Sequence, residues 1–378
     1  MGWGPIRGVC LLVATAVVLA TAGAAWAATG TVSSFGSDEF GQLGNGAGGS
    51  STTPVAVAGL ANVTQIDGGR EHAIALRNDG TVWAWGHNNY GQVGDGTRTN
   101  RQSPVQVSGL AGVTAVETGH YSSMALKSDG TVWAWGWNTF GTLGDGTTTN
   151  RSVPVRVSGL TNVVAIAGAR DHALALRGDG TVWAWGDNEF GNLGTGNTTN
   201  HLTPVQVHNL TNVVAIAGGR DHSLAVRADG SVWAWGWNTY GQVGDGTHTN
   251  RLTPVQVTGV SGVVSVSAGA EHSMALTSGG SLWTWGHNND GQLGDNTLTS
   301  RARPVRVAGL ANVIEIGNGR LHSLAVESGG SVWTWGLNST GQLGDGTTTN
   351  RRVPVRVAGI SGAFGLGGGV NYSVVLHS

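Results

Sequence analysis

The chain has 378 residues, of which 11% are charged and 39% are hydrophobic, and its formal net charge at pH 7 is −2. This balance, with no run of basic residues, argues against nucleic acid as a partner. The 65 glycines are typical of disorder, but disordered chains lack large apolar residues, and this one has 16 tryptophans. Cys10 is the single cysteine, so the sequence after it has no disulfide, thiol chemistry or cysteine-ligated zinc.

The first 27 residues have the pattern of an export signal. Arg7 supplies a positive charge, an apolar run follows from Val9 to Ala24, and Ala25-Trp26-Ala27 matches a cleavage site. The run is shorter than the roughly 20 residues that a membrane-spanning helix needs. We therefore expect residues 1–27 to be a cleaved signal peptide and residues 28–378 to be secreted or extracytoplasmic, with no membrane span after cleavage.

The rest of the sequence repeats with a period of 50 residues, and no copy has an insertion or deletion relative to its neighbours. Such a period indicates one domain built from many equivalent units. A Trp-x-Trp-Gly motif begins at Trp83, Trp133, Trp183, Trp233, Trp283 and Trp333. A proline keeps the same spacing in seven copies: Pro54, Pro104, Pro154, Pro204, Pro254, Pro304 and Pro354.

Each copy is predicted to form four short strands, without any helical period. In the copy that starts at Pro104, the first strand begins at that proline, and the others cover 113–117, 122–127 and 131–135. Asp129-Gly130 before the last strand predicts a two-residue type I′ hairpin. A glycine-rich connection then leads to the next proline.

Side chains alternate between the two faces of a strand, so the strand sequences also predict how the sheets pack. In residues 72–76 one face carries bulky side chains and the other only alanine. Both faces are apolar, so each sheet must lie between two neighbours, bulky face against small face. Four-stranded sheets stacked in this way around an axis form a β-propeller.

The two ends of the repeat region carry complementary half-repeats. The segment from Ala363 to Leu376 matches residues 313–326 and lacks a Trp strand, whereas residues 31–36 match the Trp strand at 81–86. Pairing of these ends in one sheet would leave no free edge between blades. The predicted fold is therefore all-β, a seven-bladed β-propeller of residues 28–378, closed by its N- and C-terminal segments.

The repeat motif also resembles a known family. Gly-x-x-His-Ser-Leu-Ala-Val at 219–226 is followed by Asp-Gly-Ser-Val-Trp-Ala-Trp-Gly at 229–236 and by Gly-Gln-Val-Gly at 241–244. This pattern resembles the regulator of chromosome condensation repeat over essentially all of residues 28–378. The resemblance implies a seven-bladed propeller, and three roles occur among relatives. The eukaryotic founder is a chromatin-bound exchange factor for a small nuclear GTPase, some secreted bacterial relatives cap and inhibit β-lactamases, and many are scaffolds.

The founder's exchange activity uses a wedge-like insertion. The strict 50-residue spacing leaves no room for one here, so no exchange residues are carried over.

Three polar positions recur in most copies, and each allows two interpretations. The histidines would form a metal site or, as we favour, be buried and bond to the backbone of their own blade. The arginines would attract an anion to a channel mouth or, as we favour, bond to loop carbonyls. The aspartates would bind calcium or, as we favour, form turns and ion pairs with arginines six residues on. The sets are His72, His172, His222, His272 and His322; Arg70, Arg170, Arg220 and Arg320; and Asp95, Asp145, Asp245, Asp295 and Asp345.

The position after Trp-x-Trp-Gly varies while its surroundings are constant, and we expect it on one rim of the disc. Trp137 and Trp237 are predicted to be anchors for a partner, because tryptophan dominates binding hot spots. Packing over the blade edge is the alternative. Asp187 lies between them as an acidic centre, and His87 and His287 flank the arc. Three residues further on, a second and mostly aromatic set from Phe40 to Thr340 is expected to pack against the blades.

No residues form a recognisable catalytic set. We therefore expect no enzyme, no cofactor and no metal, but a secreted, monomeric scaffold that binds an extracellular or cell-surface protein, for example by capping an extracellular enzyme. The alternative is a carbohydrate-binding or enzymatic propeller using the same rim, and guanine-nucleotide exchange ranks below both. If Trp137 and Trp237 only pack, the binding face is expected on the opposite side of the disc, around Arg70 and Arg220.

Overall fold

The computed structural model describes residues 28–378, which contain 28 β-strands. The strands form seven four-stranded antiparallel sheets that surround a central axis as the blades of a propeller. The predicted fold is confirmed. The predicted signal peptide lies outside the described residues. Within residues 28–378, no helix is long and apolar enough to cross a membrane.

The strands are numbered in chain order, and the blades from the first complete sheet. β1 (Thr31–Gly36) and β2 (Ser51–Ala56) belong to blade 7. Blade 1 contains β3 (Val63–Gly68), β4 (His72–Arg77), β5 (Val82–Gly86) and β6 (Arg101–Gln106). Blade 2 contains β7 (Val113–Thr118), β8 (Ser122–Lys127), β9 (Val132–Gly136) and β10 (Arg151–Arg156). Blade 3 contains β11 (Val163–Gly168), β12 (His172–Arg177), β13 (Val182–Gly186) and β14 (His201–Gln206). Blade 4 contains β15 (Val213–Gly218), β16 (His222–Arg227), β17 (Val232–Gly236) and β18 (Arg251–Gln256). Blade 5 contains β19 (Val263–Ala268), β20 (His272–Thr277), β21 (Leu282–Gly286) and β22 (Arg301–Arg306). Blade 6 contains β23 (Val313–Asn318), β24 (His322–Glu327), β25 (Val332–Gly336) and β26 (Arg351–Arg356), and β27 (Ala363–Gly368) and β28 (Tyr372–His377) complete blade 7.

The recurring proline lies in the outermost strand of each blade. Pro104 is the fourth residue of β6, which begins at Arg101, so the strand starts earlier than predicted. The register between β5 and β6 shifts between the pairs Gly86–Arg101 and Ala84–Val105. A proline is tolerated there because an edge strand does not need every backbone N–H for pairing.

The hairpin between the second and third strands differs from the predicted type. In blade 1, Gly80 N donates to Arg77 O at 3.0 Å, and Gly80 has φ of 75° while Asp79 has no positive φ. This is a three-residue loop with a left-handed glycine, so the predicted type I′ turn is wrong. The Asp79 carboxylate accepts hydrogen bonds from Thr81 N at 3.0 Å and Thr81 Oγ1 at 2.6 Å, which stabilises the longer loop.

The core lies between blades, as the alternation of bulky and small side chains predicts. Between blades 1 and 2, Ile74 and Leu76 of one sheet pack against Ala125 of the next, and Trp135 fills the space beside that alanine. The indole of Trp135 also donates a hydrogen bond to Gln92 O in the preceding blade at 2.9 Å. The equivalent aromatic residues are fully buried in all seven blades: Trp85, Trp135, Trp185, Trp235, Trp285, Trp335 and Phe35.

Blade 7 is built from both ends of the described chain, in the order β2-β1-β28-β27. β1 and β28 pair without interruption from Thr31–His377 to Gly36–Tyr372. The predicted closure is confirmed. Around the axis, seven hydrogen bonds link the turns after the innermost strands into a complete circle, with N···O distances of 3.0 to 3.3 Å. The donor and acceptor pairs are Arg70–His120, His120–Ala169, Arg170–Gly219, Arg220–Gly269, Ala270–Arg320, Arg320–Gly369 and Val370–Arg70.

We expect deletion of residues 361–378 to destabilise the protein severely. The deletion removes β27 and β28, and the apolar face of blade 6 around Leu324 and Val326 loses the cover of Leu366 and Val375. The truncated chain should aggregate or lose its cooperative transition in thermal unfolding followed by circular dichroism.

A circular permutant provides the control. Ser378 joined to Ala28, with new ends in the 357–362 connection, keeps every strand and should melt near the temperature of the intact chain. A truncated chain that melts like the intact one would contradict the role of closure.

Candidate functional site

The loops of the propeller open on two faces. In each blade the turn between the first and second strands and the long loop between the third and fourth meet on one face, which we call the loop face. In blade 1 these are residues 69–71 and 87–100, and His87 N donates to Glu71 O at 2.8 Å. The hairpins and the connections between blades open on the other side, the hairpin face.

A buried asparagine holds each long loop in shape. In blade 1, Asn88 Oδ1 accepts a hydrogen bond from Val93 N at 2.9 Å, and Asn88 Nδ2 donates to Thr99 O at 3.0 Å. These bonds satisfy backbone groups that a loop would otherwise leave unpaired. The loop frame is therefore constant, and only selected side chains on it vary. The equivalents are Asn138, Asn188, Asn238, Asn288 and Asn338, with Asp38 in blade 7.

The recurring aspartates form turns and ion pairs, as predicted. Asp145 Oδ2 lies 2.8 Å from Arg151 Nη2, and Asp145 Oδ1 accepts hydrogen bonds from Thr147 N and Oγ1. Burial alone would raise the pKa of Asp145, but the hydrogen bonds from Thr147 and Arg151 outweigh it and lower the pKa. The same aspartate–arginine pair recurs in blades 1, 4, 5 and 6.

The recurring histidines are buried, as predicted, but their partner is different. His222 is 0% exposed, and its Nε2 lies 3.0 Å from Ser273 Oγ in the next blade. Ser273 Oγ donates to Gln242 O at 2.8 Å, so the imidazole Nε2–H is the donor to the serine. The prediction of a backbone partner in the same blade is wrong, because the bulky face of one blade meets the small face of the next.

In the two blades that lack the histidine, the serine that would face it in the next blade is also replaced. Blade 2 has Ser122 where other blades have histidine, and the residue facing it in blade 3 is Ala173 instead of serine. Blade 7 has Tyr372 at the same position, and the facing residue in blade 1 is Ala73. Tyr372 donates its hydroxyl to His72 O instead. A serine is thus present only where a histidine needs an acceptor.

We expect this network to make stability fall as the pH is lowered. Burial lowers the pKa of His222 to about 3, and the other four histidines of the set shift in the same way. The unfolded chain takes up protons below about pH 6.5, whereas the folded chain does not until about pH 3. Stability is therefore lost as the pH falls through this window, by at most about 1.4 kcal/mol per pH unit for each histidine.

The double variant His222→Ser with Ser273→Ala reproduces the pair that the chain itself uses between blades 2 and 3. Its free energy of unfolding in urea should fall less between pH 7 and pH 5 than that of the wild type, by about 2 kcal/mol. The single variant Ser273→Ala retains His222, so its free energy of unfolding should fall with pH as much as that of the wild type. An unchanged pH dependence in the double variant would show that His222 is not held neutral.

The arginines Arg70, Arg170, Arg220 and Arg320, which we call the mouth arginines, line the opening of a cavity on the axis, on the loop face. Arg170 Nε lies 2.6 Å from Asp171 Oδ2, and Arg220 lies 3.0 Å from Asp221 and 3.2 Å from Glu271. The partners of Arg170 and Arg220 are therefore carboxylates of the same and the next blade, and Arg70 pairs with Glu71. For these three arginines the predicted bonds to loop carbonyls are wrong. The negative potential of the carboxylates that directly follow Arg70, Arg170 and Arg220 explains the difference.

The variable tryptophans lie on the same face and are half-buried. The ring of Trp137 is 5.5 Å from that of Phe140 and 6.4 Å from that of Tyr121. Trp237 lies 5.5 Å from Tyr240 and 5.9 Å from Phe190. Each tryptophan is therefore held by aromatic neighbours and keeps part of its ring accessible to solvent.

The other three predicted contact residues are buried beneath the loops. Asp187, His87 and His287 are 6%, 5% and 7% exposed. The imidazole Nδ1 of His87 is 2.7 Å from Gln92 Nε2, and that of His287 is 2.8 Å from Gln292 Nε2. Burial lowers the pKa of both histidines. These side chains support the loop face from below, and contact with a partner by any of the five residues stays a prediction.

The mouth arginines and the tryptophans belong to one continuous surface. The guanidinium carbon of Arg220 lies 5.4 Å from the ring centre of Trp237, and Trp137 lines the same cavity as Arg70. The expectation that the loops around Arg70 and Arg220 lie on the opposite side of the disc is wrong. The physical reason is that these turns and the long loops join strands at the same end of each blade.

An aromatic arc on the loop face was only partly visible in the sequence. Its ring contacts form two groups, from Phe40 to Phe140 and from Phe190 to Tyr240. The second aromatic set packs between blades as predicted: Phe40 contacts His87 at 4.7 Å, and Tyr240 contacts His287 at 4.5 Å. Tyr121 joins this set and was missed, although it stands at a position where four of the seven copies carry an acidic residue. The arc spans blades 7, 1, 2, 3 and 4, while the corresponding positions of blades 5 and 6 are His287, Asp290, Leu337 and Thr340. Its members are Phe40, Tyr90, Tyr121, Trp137, Phe140, Phe190, Trp237 and Tyr240.

A ring of seven four-stranded sheets, with constant loops and one face of variable and largely aromatic side chains, defines the class of protein as a seven-bladed β-propeller. The RCC1-like domain model matches residues 113–375. Models of the regulator of chromosome condensation (RCC1) repeat match residues 29–76, 79–126 and 63–92. The chain belongs to this RCC1-like family, whose propellers are protein-binding scaffolds and in general not catalysts.

Solved structures with the same fold come from yeast and human proteins. Prp20p from Saccharomyces cerevisiae, described with its binding to Gsp1p and histones, is 24% identical with a TM-score of 0.83, and covers 92% of this chain and 91% of its own. Yeast RCC1 (Prp20) bound to Kap60 is 22% identical with a TM-score of 0.84, and the match covers 98% of this chain and 96% of that one. Human WBSCR16 is 25% identical with a TM-score of 0.82, and the match covers 93% of this chain and 99% of that one. No curated protein matches the chain in sequence.

Proposed function

We propose that this chain is an exported protein-binding scaffold without catalysis of its own, and that its partner docks on the loop face. The observation that carries the proposal is the aromatic arc, which is confined to one face and to five consecutive blades. Aromatic residues are enriched where binding energy concentrates, because they bury large areas at little cost in conformational entropy. The RCC1-like family, whose members bind proteins, supports the same conclusion.

The arc offers two anchors, Trp137 and Trp237, separated by blade 3. Between them, Glu189 is exposed beside the buried Asp187, and Glu189 N lies 3.4 Å from the Asp187 carboxylate. A partner that places a basic side chain between two apolar patches would match this pattern of charge. Opposite charges at such a surface favour association and exclude wrong partners.

The partner that we propose lies outside the cytoplasm, and the export signal expected in residues 1–27 supports this part of the proposal. A disc that covers one surface of an enzyme blocks access of substrate without any chemistry of its own, so capping of an extracellular enzyme is the role that we propose within this class. A carbohydrate-binding propeller is the second candidate, since aromatic rings also stack on sugars. A glycan array separates the two, because a capping scaffold should bind proteins and leave glycans unbound.

Nucleotide exchange on a small GTPase is not proposed for this chain. The long loops of all blades keep one length, and no insertion projects from the disc in the part of the chain from residue 28 to residue 378. The binding of Prp20p to Gsp1p is therefore not transferred to this protein.

We expect Trp137→Ala and Trp237→Ala each to weaken partner binding by about 2 kcal/mol or more, the scale of a hot-spot residue. The partner is captured from the extracytoplasmic protein fraction on the immobilised 28–378 chain, and its affinity is then measured by surface plasmon resonance. Each tryptophan contacts loop residues and lies outside the fully buried core between blades, so the variants should remain folded.

Trp283→Ala is the matched control. Trp283 is half-buried like Trp137 but pairs with Arg306 on the outer strand, away from the long loops. This variant should bind as the wild type does. If the loop-face variants lowered the melting temperature and bound the partner with unchanged affinity, the tryptophans would be packing residues only.

A further inference from the structure

The cavity on the axis has the size of a ligand site. Its volume is about 570 Å³, within the range of small-molecule pockets, and it opens on the loop face through the mouth arginines. Its walls are mostly glycine and alanine from the ends of the innermost strands. At its base lies a ring of aliphatic side chains, which includes Ile166, Ile216, Val266, Ile316 and Leu366.

Most of the lining repeats from blade to blade, but blade 6 departs from the pattern. Ile316, Asn318 and Arg320 all line the cavity, at alternate positions of β23 and the turn that follows. They give an apolar base, an amide in the wall and a guanidinium at the mouth. The position of Asn318 is glycine in blades 1, 3, 4 and 7, threonine in blade 2 and alanine in blade 5.

Arg320 is the mouth arginine whose charge is not balanced by a neighbour. Arg70, Arg170 and Arg220 each form an ion pair with the acidic residue that follows them in sequence. At the equivalent positions around Arg320, its own blade has Leu321 and the next blade has Asn371. Within residues 28–378 no ion pair involves Arg320, and its side chain is exposed.

The surroundings of Arg320 and Asn318 also leave donors free. The mouth positions of the flanking blades are Ala270 and Val370, which offer no hydrogen-bonding side chain. The two polar atoms of the Asn318 side chain form no hydrogen bond of good geometry among the described residues. Burial lowers the pKa of His272, and the nearby Asn318 amide opposes that shift. A buried polar group without a partner is costly, and a ligand that bonds to it recovers that cost.

The carboxyl groups that line the cavity belong to blades 1, 2 and 3, where the third is Asp171. Asp67 and Glu117 line the walls of blades 1 and 2, and Asp67 accepts hydrogen bonds from Thr118 N at 2.8 Å and Thr118 Oγ1 at 2.7 Å. Burial, followed by the charge of Asp67, raises the pKa of Glu117 well above its ordinary value. The raised pKa favours the neutral form of Glu117, and an anion bound at blade 6 lies across the cavity from both of these carboxyl groups.

We propose that the axial cavity is a binding site for a small aliphatic carboxylate. The carboxylate bonds to the Arg320 guanidinium and the Asn318 amide, and the aliphatic body points to the ring of apolar side chains at the base. A charged acceptor on a guanidinium makes the strongest class of hydrogen bond available there. This site is separate from the proposed protein-binding function, since its ligand enters along the axis and needs none of the tryptophans.

The test uses hexanoate as the probe, titrated into the folded 28–378 chain by isothermal calorimetry. Wild-type protein should bind hexanoate at least roughly tenfold more tightly than 1-hexanol or hexylamine, since a charged hydrogen bond discriminates on that scale. Arg320→Ala and Asn318→Ala copy Ala270 and Ala268 of blade 5, so both variants should fold.

Arg320→Ala should weaken hexanoate binding by roughly tenfold or more and abolish the preference over hexanol. Asn318→Ala should weaken it by a smaller factor. Arg352→Ala removes an exposed arginine on the outer strand β26 and should bind as the wild type does. The proposal is overturned if hexanoate does not bind, if it binds no better than hexanol, or if Arg320→Ala binds it equally well. No partner protein is present in this assay, so its result is independent of the scaffold proposal.

Discussion

The structure depends on one repeated contact, in which the bulky face of a blade packs on the small face of the next. Leu224 and Val226 of blade 4 meet Ala275 and Trp285 of blade 5, and the same arrangement recurs around the ring. Each contact is useful only if the next one forms, because a blade covered on one side still exposes apolar area on the other. Closure of blade 7 by β1 and β28 is therefore the condition for every other interface to be complete.

Two polar networks reinforce this contact at different depths. The backbone circle from Arg70 to Val370 links the turns around the axis, and the histidine–serine pairs link the strands behind it. Both networks join a blade to its direct neighbour, and within each network the donor lies in one blade and the acceptor in the next. Because buried polar groups are stabilising only when paired, a blade placed in the wrong order would leave histidines or serines without partners. The matched exceptions at Ser122 with Ala173 and Tyr372 with Ala73 follow this requirement.

The fold was predictable from the sequence because the same strand and turn pattern occurs seven times at one spacing, and each copy supports the assignment of the others. The strand Ser122–Lys127 was located to the residue, and the half-repeats at the two ends predicted the closed sheet. Contacts between blades were not predictable in detail. The residue that pairs with His222 is 51 positions away, and nothing local distinguishes it from a backbone partner. The hairpin at Gly80 was assigned the wrong turn because the Asp79 side-chain bonds extend the loop by one residue.

Periodicity does not predict the candidate sites, because they lie at positions where one or a few blades depart from the repeat. Constant residues such as Asn88 and Asp145 are explained fully by the loops that they hold, and the arginine beside Asp171 is balanced by its carboxylate. Arg320 departs from this balance because Leu321 and Asn371 replace the acids, and the aromatic arc stops where Asp290 and Thr340 replace rings. Exposure must then decide between candidates, because Asp187, His87 and His287 vary as strongly as the tryptophans yet lie beneath the surface. In a repeat protein of this kind, a residue becomes a candidate for binding when it or its surroundings differ from those in most other blades and it is also accessible to a ligand or partner.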